Sequence, residues 1–444
     1  MENGQGSWWR RGFKILFKGL CIAVVLIAAT YAVLSWMAVR KEKAVMALWS
    51  HAGHPLDTFL ADLPVTEPND TARALDGLAV KLGMGSGPGE TREPWKSTVV
   101  PLGDYLKAAL EKTGRPVMPP PEAVAKFLQD QAPAIAGVRK LLIENPPPVW
   151  KQINEGFANA PIPNLLQTIN LEKILATDAL ASASRGERDL ALEDLDAGWR
   201  LCEALNKRPE LISALVTIAM VRMPVGVLRF VDDVPAKWQD RLKGYVPRSG
   251  LSRAYQFEAC FLFEMARTGT ADWTFGSKPN WIQRFITRLS RPYIRLCLAD
   301  AARLELEMVK AAEASGPCPE GLEAEMSDIL AQAPGWNFVA RIALPNLSSS
   351  WGRAYRMQLD LEMTGKILLA EDARRNNGGA WPASVLGLEE SICPKGKWIY
   401  AKTADGASLQ YDRTPHFPDA QKGTVLPLHF DLLAPPARGT TTKR

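Results

Sequence analysis

One uninterrupted apolar run dominates the hydrophobic pattern near the start of the chain, "LCIAVVLIAATYAVLSWMAV" from Leu20 to Val39. A helix of these 20 residues is about 30 Å long, which matches the hydrocarbon core of a bilayer. Four basic residues lie at positions 10–18 and three at positions 40–43. Because basic residues favour the cytoplasmic side, the pattern predicts one transmembrane anchor at 20–39, with residues 1–19 in the cytoplasm and the rest outside it.

A cleaved signal peptide is the alternative explanation of this run. The apolar region of a signal peptide is shorter, about 7–15 residues, and small residues mark its cleavage site. The run here is longer, and Thr30-Tyr31-Ala32 is a poor cleavage site. We therefore expect an uncleaved signal-anchor that holds the chain in a bacterial inner membrane through contacts of Leu20 to Val39 with the lipid bilayer.

The segment after the anchor, residues 40–160, is rich in helix breakers. "GMGSGPGE" at 83–90 and "GRPVMPPPE" at 114–122 indicate long loops around one short helix at about 71–82. A second helix is predicted at about 122–144, where "NPPP" ends it. The segment is predicted to form a stem with loops and short helices.

Residues 161–375 carry the clearest helical pattern. Gly186 is the expected end of a first helix, and Leu192, Leu195, Trp199 and Cys202 place one apolar stripe on a second helix. A third helix is expected after Pro209, and further helices at about 252–267, 281–315 and 347–375. This pattern predicts a mainly α fold whose body is a solenoid-like helical hairpin.

The spacing of apolar residues changes from a helical to a strand-like period in the last part of the chain, residues 376–444. "KWIYAKTADGASLQYD" at 397–412 alternates apolar and polar residues around Asp405-Gly406, which is a strong hairpin signal. "TVLPLHFDLL" at 424–433 suggests a third strand, and Pro427 confines that strand to a sheet edge. The fold class is therefore mainly α with a small C-terminal β-hairpin module.

The net charge narrows the classes of partner. It is +5 over 444 residues, and the basic residues are dispersed among acidic ones. Because a nucleic-acid-binding protein neutralises phosphates with clustered Lys and Arg, we expect no nucleic-acid partner.

Six cysteines are present, and no CxxC pair occurs among them. Cys202, Cys260 and Cys297 fall on predicted helices and are expected to be buried apolar residues. Cys318 and Cys393 lie in loops, each before a proline, and are the best candidates for a disulfide in an oxidising compartment, although the spacing alone does not establish the pairing.

No motif of a known catalytic, cofactor or metal site is present. The chain lacks HExxH, GxSxG and a dinucleotide fingerprint, and no set of metal ligands is complete, so we expect no catalytic residue, cofactor or metal. The carboxylate pairs Glu193/Asp194 and Glu305/Glu307 are interpreted as solvated helix faces.

Tryptophan is unusually frequent, with 14 residues, several of them beside Pro- and Gly-rich junctions. Trp381, Pro382 and Trp398 are candidates either for partner binding or for a structural clasp at the end of the helical body. The clasp is the preferred interpretation, because tryptophan is usually mostly buried.

Two segments resemble a family of bacterial membrane-anchored α-helical proteins of unassigned function. The first runs from "ATDALASASRGERDL" through "RPELISALVTIAMVR" at 176–222, and the second is "LLAEDARRNNGGAWPASVLGL" followed by "CPKGKWIY". The resemblance covers about residues 160–400 and the anchor. It implies a helical-hairpin body with a C-terminal module of the form NG-x-[YW]-P, and it carries over no activity.

These observations favour a binding or assembly role in the bacterial envelope, with a protein partner there. An envelope enzyme of the hydrolase class, with a site assembled from distant residues, is one alternative. A pilin- or secretion-like assembly component is another, since "RRGFKILFKG" resembles a prepilin leader. The prepilin pattern requires Glu five residues into the mature chain, where Phe17 stands here.

Overall fold

The computed structural model describes residues 5–51, 56, 65–85, 90–152, 162–268, 280–318, 321–413 and 428–433. The chain divides into two compact units that alternate along the sequence. Unit 1 comprises residues 1–59, 258–311 and 324–346, and unit 2 comprises residues 60–257, 312–323 and 347–444.

The structure is mainly helical, as the sequence predicts. In the described part of the chain the helices are α1 (Gln5–His51), α2 (Asp70–Lys81), α3 (Trp95–Leu110), α4 (Glu122–Asp130), α5 (Ala132–Glu144), α6 (Leu165–Ser184), α7 (Arg188–Asn206), α8 (Leu211–Leu228), α9 (Lys237–Gly244), α10 (Pro247–Thr268), α11 (Trp281–Ala314), α12 (Leu322–Ala331) and α13 (Phe338–Asn376).

The N-terminal apolar run lies in helix α1 of unit 1. Side chains from Phe13 to Val33 are exposed on every side of the helix, and the first buried residue is Ala38, followed by Val45 and Trp49. Since helical positions seven and four residues apart share a face, one face of the last turns packs on unit 1. By length and composition α1 is apolar enough to cross a membrane.

By length and composition helix α8 is also apolar enough to cross a membrane, but most of its apolar stretch is buried inside unit 2. It packs on α7, and α6 packs on both. Gly186 has φ of 77° between α6 and α7, as the helical-hairpin prediction requires. Cys202, Cys260 and Cys297 are buried, which confirms the prediction for these three residues.

Several helix boundaries differ from the predicted ones. Residues 52–120 contain a second helix, α3, because Trp95, Leu102 and Leu106 form an apolar stripe that continues past Pro101. The predicted helix at 122–144 is divided at Gln131, since Pro133 cannot donate a backbone hydrogen bond to the preceding turn.

Helices α9 and α12 are absent from the prediction, and α13 begins earlier than expected. The sequence predicts a start at about residue 347, but Asn337 caps the helix, and its Oδ1 accepts a hydrogen bond from the Ala340 amide at 3.0 Å. Pro292 lies inside α11, which is one helix in the structure.

The C-terminal module is a three-stranded antiparallel sheet of unit 2, built from β1 (Trp398–Lys402), β2 (Gly406–Tyr411) and β3 (His429–Leu433) in that order. The register pairs Trp398 with Tyr411 and Leu409 with Phe430. Both the hairpin and the third strand at an edge are confirmed, while Pro427 lies outside the described residues.

Candidate functional site

A buried ionic cluster lies between helices α5, α6 and α7 of unit 2. Arg139 on α5 donates from Nε to Asp194 Oδ1 at 2.6 Å and from Nη2 to Asp178 Oδ2 at 3.0 Å. Burial raises the pKa of both carboxyl groups, and their mutual repulsion adds to the rise at Asp194. One guanidinium therefore holds two carboxyl groups that share its charge.

Glu172 lies next to this cluster and is buried, with 1% of its surface exposed. Burial, followed by the Asp194 charge, raises the pKa of Glu172 to about 8. A neutral carboxyl is therefore the dominant form at neutral pH. Burial likewise raises the pKa of the neighbouring Cys202 thiol well above its ordinary value, so this thiol is not a nucleophilic thiolate.

Close packing of α6 on α7 explains how the Glu172 side chain fits. Gly198 lies one turn after Asp194 and one turn before Cys202, so all three residues are on one face of α7. A Cβ atom added at Gly198 would lie 2.5 Å from Glu172 Oε1. A side chain at position 198 would require the Glu172 carboxyl to move.

The prediction of solvated carboxylate pairs is wrong for one member of each pair. Asp194 is fully buried and Glu305 is 2% exposed, whereas Glu193 is exposed and Glu307 is half-buried. In unit 1, burial and then the neighbouring Glu258 raise the pKa of Glu305 well above its ordinary value. Neighbouring carboxylates fall on different faces of a helix, so the sequence spacing alone could not assign them both to solvent.

In unit 2, a second buried ionic group joins the end of α8 to the part of α13 after residue 346. Arg229 donates from Nε to Thr364 Oγ1 at 2.9 Å and from Nη2 to Asp360 Oδ1 at 3.2 Å. Burial, partly offset by Asp360, lowers the pKa of Arg229, and the positive charge of Arg222 lowers it further. This group ties α13 to the C-terminal end of α8.

Two cavities are lined by residues of unit 2. One of about 230 Å³ is lined by Asp76, Trp150, Asn164 and Gln167 among others, and one of about 20 Å³ lies beside Tyr105. Neither is lined by Glu172, by Cys202 or by the acidic residues around Arg139. Within the described ranges, no group of three His, Cys, Asp or Glu residues is arranged to hold a metal ion.

The two loop cysteines that the sequence singles out form a disulfide in unit 2. Cys318 and Cys393 have Cα atoms 5.3 Å apart, although 75 positions separate them in the chain. The loop that carries Cys393 is held on α13, where Glu362 accepts hydrogen bonds from the Ile392 amide at 3.0 Å and from Ser391 Oγ at 3.1 Å.

The candidate residues of the C-terminal module are packed rather than presented to solvent. Trp381 is 5% exposed, and the Arg374 guanidinium lies over its ring at 5.2 Å. Trp398 is 1% exposed and packs on Tyr411, and the Tyr400 hydroxyl donates to the Pro382 carbonyl at 3.0 Å. Both indole rings are therefore packed inside unit 2, although the Trp381 indole nitrogen has no acceptor among the described atoms.

In unit 1, polar contacts fix the end of α1 on α11. Lys41 Nζ lies 2.5 Å from Asp300 Oδ1, and Arg295 pairs with Glu42. Asp300 also accepts hydrogen bonds from Arg303 at 3.3 Å and from Asn337 at 3.2 Å. The helix that carries the exposed apolar run is thus held by a buried carboxylate with several donors.

The first turns of α11 expose a second set of apolar residues in unit 1. Trp281 is 77% exposed, and three further residues of these turns are also exposed: Phe285, Ile286 and Leu289. Large exposed apolar patches on folded proteins are common at contacts with other proteins or with membranes. The prediction of a helix at 281–315 located these residues but gave no sign that they face outward.

Comparison of the chain with protein-family models, curated proteins and solved structures yields no match.

Proposed function

We propose that this chain is a single-pass membrane protein of the bacterial envelope whose helical domain, outside the cytoplasm, acts by binding or assembly. The exposed apolar surface of α1 from Phe13 to Val33 carries the proposal. Such a surface is unfavourable in water at about 25 cal/mol per Å² and favourable in a hydrocarbon core. The basic residues before it favour an N-terminus in the cytoplasm.

The Cys318–Cys393 disulfide supports the location of the domain outside the cytoplasm. Disulfides form and persist in oxidising compartments and are rare where thioredoxin and glutathione keep thiols reduced. Both cysteines belong to unit 2, so the support applies to that unit.

The state of the buried groups supports binding rather than catalysis. Catalytic acids and nucleophiles lie in clefts where a substrate reaches them. Glu172 and Cys202 are buried beneath the packed faces of α6 and α7, and neither lines the cavities described above. Their pKa shifts follow from burial in a helical core.

An envelope hydrolase is the second candidate function, and the neighbouring Glu172, Asp194 and Cys202 are the observation that favours it. Perturbed pKa values cluster at active sites as well as in cores. A probe separates the two cases: iodoacetamide labels a catalytic cysteine in the folded protein. We expect labelling of Cys202 only after denaturation, and labelling in the native state would favour the hydrolase.

A pilin-like component is the third candidate. It predicts proteolytic processing after Gly12, which would remove the preceding residues and leave Phe13 as the new N-terminus. The intact mass of the purified protein distinguishes this from an unprocessed anchor.

Extraction of membranes with alkaline carbonate tests the anchor. We expect the full chain to remain in the membrane pellet. Changing Leu26 and Ile27 to Arg places charge inside the apolar run and is expected to release the protein into the supernatant, since each charge at a bilayer centre costs about 2.5–3.5 kcal/mol. The same change at the exposed Val65 and Leu386 is the matched control and leaves the protein in the pellet.

A further inference from the structure

We propose that the first turns of α11, residues 281–291, lie on the surface of an anionic lipid bilayer as a second membrane contact. The inference rests on the proposed function, because α1 brings unit 1 to the membrane. It adds a lipid-binding surface and a lipid class that the anchor alone does not imply.

The apolar side of this surface consists of Trp281, Phe285, Ile286 and Leu289. Their exposed fractions are 77%, 61%, 58% and 43%. Positions 281, 285 and 289 are four residues apart and therefore share one helix face. An apolar face with an exposed Trp and Phe is typical of helices that lie in the membrane interface.

The polar side of the same turns is basic. Arg284, Arg288 and Arg291 have exposed side chains, and three- and four-residue spacings place them on one stripe. No acidic residue occurs from Trp281 to Ala299. Anionic lipid headgroups attract such a stripe, whereas a neutral bilayer offers it no net charge.

The contacts between α11 and α1 place this surface near the membrane. Arg295 pairs with Glu42, and Asp300 with Lys41, just beyond the predicted span. Residues 281–291 precede Arg295, so they extend from the point where α11 meets the base of the anchor.

A neighbouring segment of unit 1 enlarges the surface. The Tyr293 ring stacks on Phe338 at 6.2 Å, and its hydroxyl donates to the Trp336 carbonyl at 2.5 Å. Phe338 and Trp336 are each about two-fifths exposed, and Ile342 is 69% exposed. The apolar residues beside α11 thus continue into the start of α13.

A spin label at position 285 in the full chain tests the proposal. The protein would carry Phe285→Cys and Cys21→Ser and be reconstituted in phosphatidylcholine vesicles with or without about 30% phosphatidylglycerol. Collisions of the label with oxygen report hydrocarbon, and collisions with a nickel chelate report water. In anionic vesicles we expect the oxygen-to-nickel ratio of the label at 285 to exceed that of a label at exposed Lys126 by about tenfold. In neutral vesicles we expect the ratio at 285 to be about threefold lower than in anionic vesicles.

Charge variants provide the matched comparison. Changing Arg284, Arg288 and Arg291 together to Glu is expected to move the label into water, and changing all three to Lys to keep it in lipid. The control changes the exposed lysines at 107, 126 and 140 together to Glu, which alters the net charge by the same amount. We expect this control to leave the label at 285 in lipid.

The outcomes separate this inference from the proposed function. If the label lies in water while carbonate extraction leaves the protein in the vesicles, the lipid contact is wrong and the proposed anchor is still supported. Loss of the protein from the vesicles overturns the proposed function itself. A label shielded from both oxygen and nickel means that protein covers the face, such as a second copy, and also overturns the lipid contact. Equal oxygen-to-nickel ratios in neutral and anionic vesicles overturn the role of the arginines.

Discussion

The Lys41 ammonium group lies 2.5 Å from the Asp300 carboxylate, although 259 positions separate the two residues. The Asp300 side chain is fully buried, while Lys41 is one-third exposed. Asp300 thus brings the base of the apolar helix and the basic helix α11 together within unit 1. Together with the Arg295–Glu42 pair, this contact joins helix α1 to α11.

Asp300→Ala is expected to lower the free energy of unfolding by about 3 kcal/mol, because it leaves Lys41, Arg303 and Asn337 without their shared acceptor. Chemical denaturation of the detergent-solubilised chain measures the change. Asp130→Ala is the control, since the Lys126–Asp130 pair is exposed and such pairs contribute less than about 1 kcal/mol. Equal effects of the two substitutions would show that the buried contact does not hold unit 1 together.

Glu172 is expected to make the protein less stable as pH rises. Its pKa is about 8 in the folded protein and close to the ordinary 4.5 in the unfolded chain. Between these values the unfolded state has released the proton that the folded state retains, so the free energy of unfolding falls with rising pH. Glu172→Gln should reduce this fall, and urea midpoints at about pH 5 and pH 8 measure it. Glu193→Gln, at an exposed position, is the matched control for loss of one carboxyl. An unchanged slope in Glu172→Gln would show that the pKa of Glu172 is not raised by burial.

Trp381→Ala is expected to lower the free energy of unfolding by about 3–5 kcal/mol, as truncation of a buried aromatic side chain does. Trp281→Ala is the matched control, because that ring is mostly exposed and its loss should cost less than about 0.5 kcal/mol. Thermal melting compares the two. If Trp381→Ala melts like the parent protein and loses a binding partner, the loop is a binding site and the clasp interpretation is wrong.

Loss of the disulfide is expected to lower the free energy of unfolding by about 4 kcal/mol. The cross-link closes a loop of 75 positions and so restricts the unfolded chain. The double variant Cys318→Ser with Cys393→Ser, compared with Cys21→Ser, tests this by urea denaturation under non-reducing conditions. Equal midpoints of the double variant and the parent would show that the cross-link contributes nothing to stability.

Local sequence signals predicted the elements whose cause is local. Gly186 ends a helix because it adopts a positive φ, and the alternation around Asp405-Gly406 specifies a hairpin. The positive φ of Gly378 and Gly379 likewise agrees with the expected end of α13. Burial of Cys202 followed from its place on an apolar stripe.

Tertiary contacts determine the features that the sequence pattern does not predict. Helix α3 continues through Pro101 because its apolar stripe is buried, which outweighs one lost backbone bond. Asp194 and Glu172 are buried because Arg139 and Gly198 come from other helices to meet them. No spacing within one segment specifies which helix supplies such a partner. The exposure of α11 is similar, since the pattern of Trp281 and Phe285 is also that of a helix facing a core.

Measuring on which side of the membrane the domain lies is the most direct test of this account. Bacterial alkaline phosphatase fused to the C-terminus of the full chain is active only outside the cytoplasm, where its disulfides form, and a green fluorescent protein fusion is fluorescent only inside. We predict phosphatase activity and no fluorescence, with both fusions retained in the membrane pellet. Fluorescence without phosphatase activity would contradict the account.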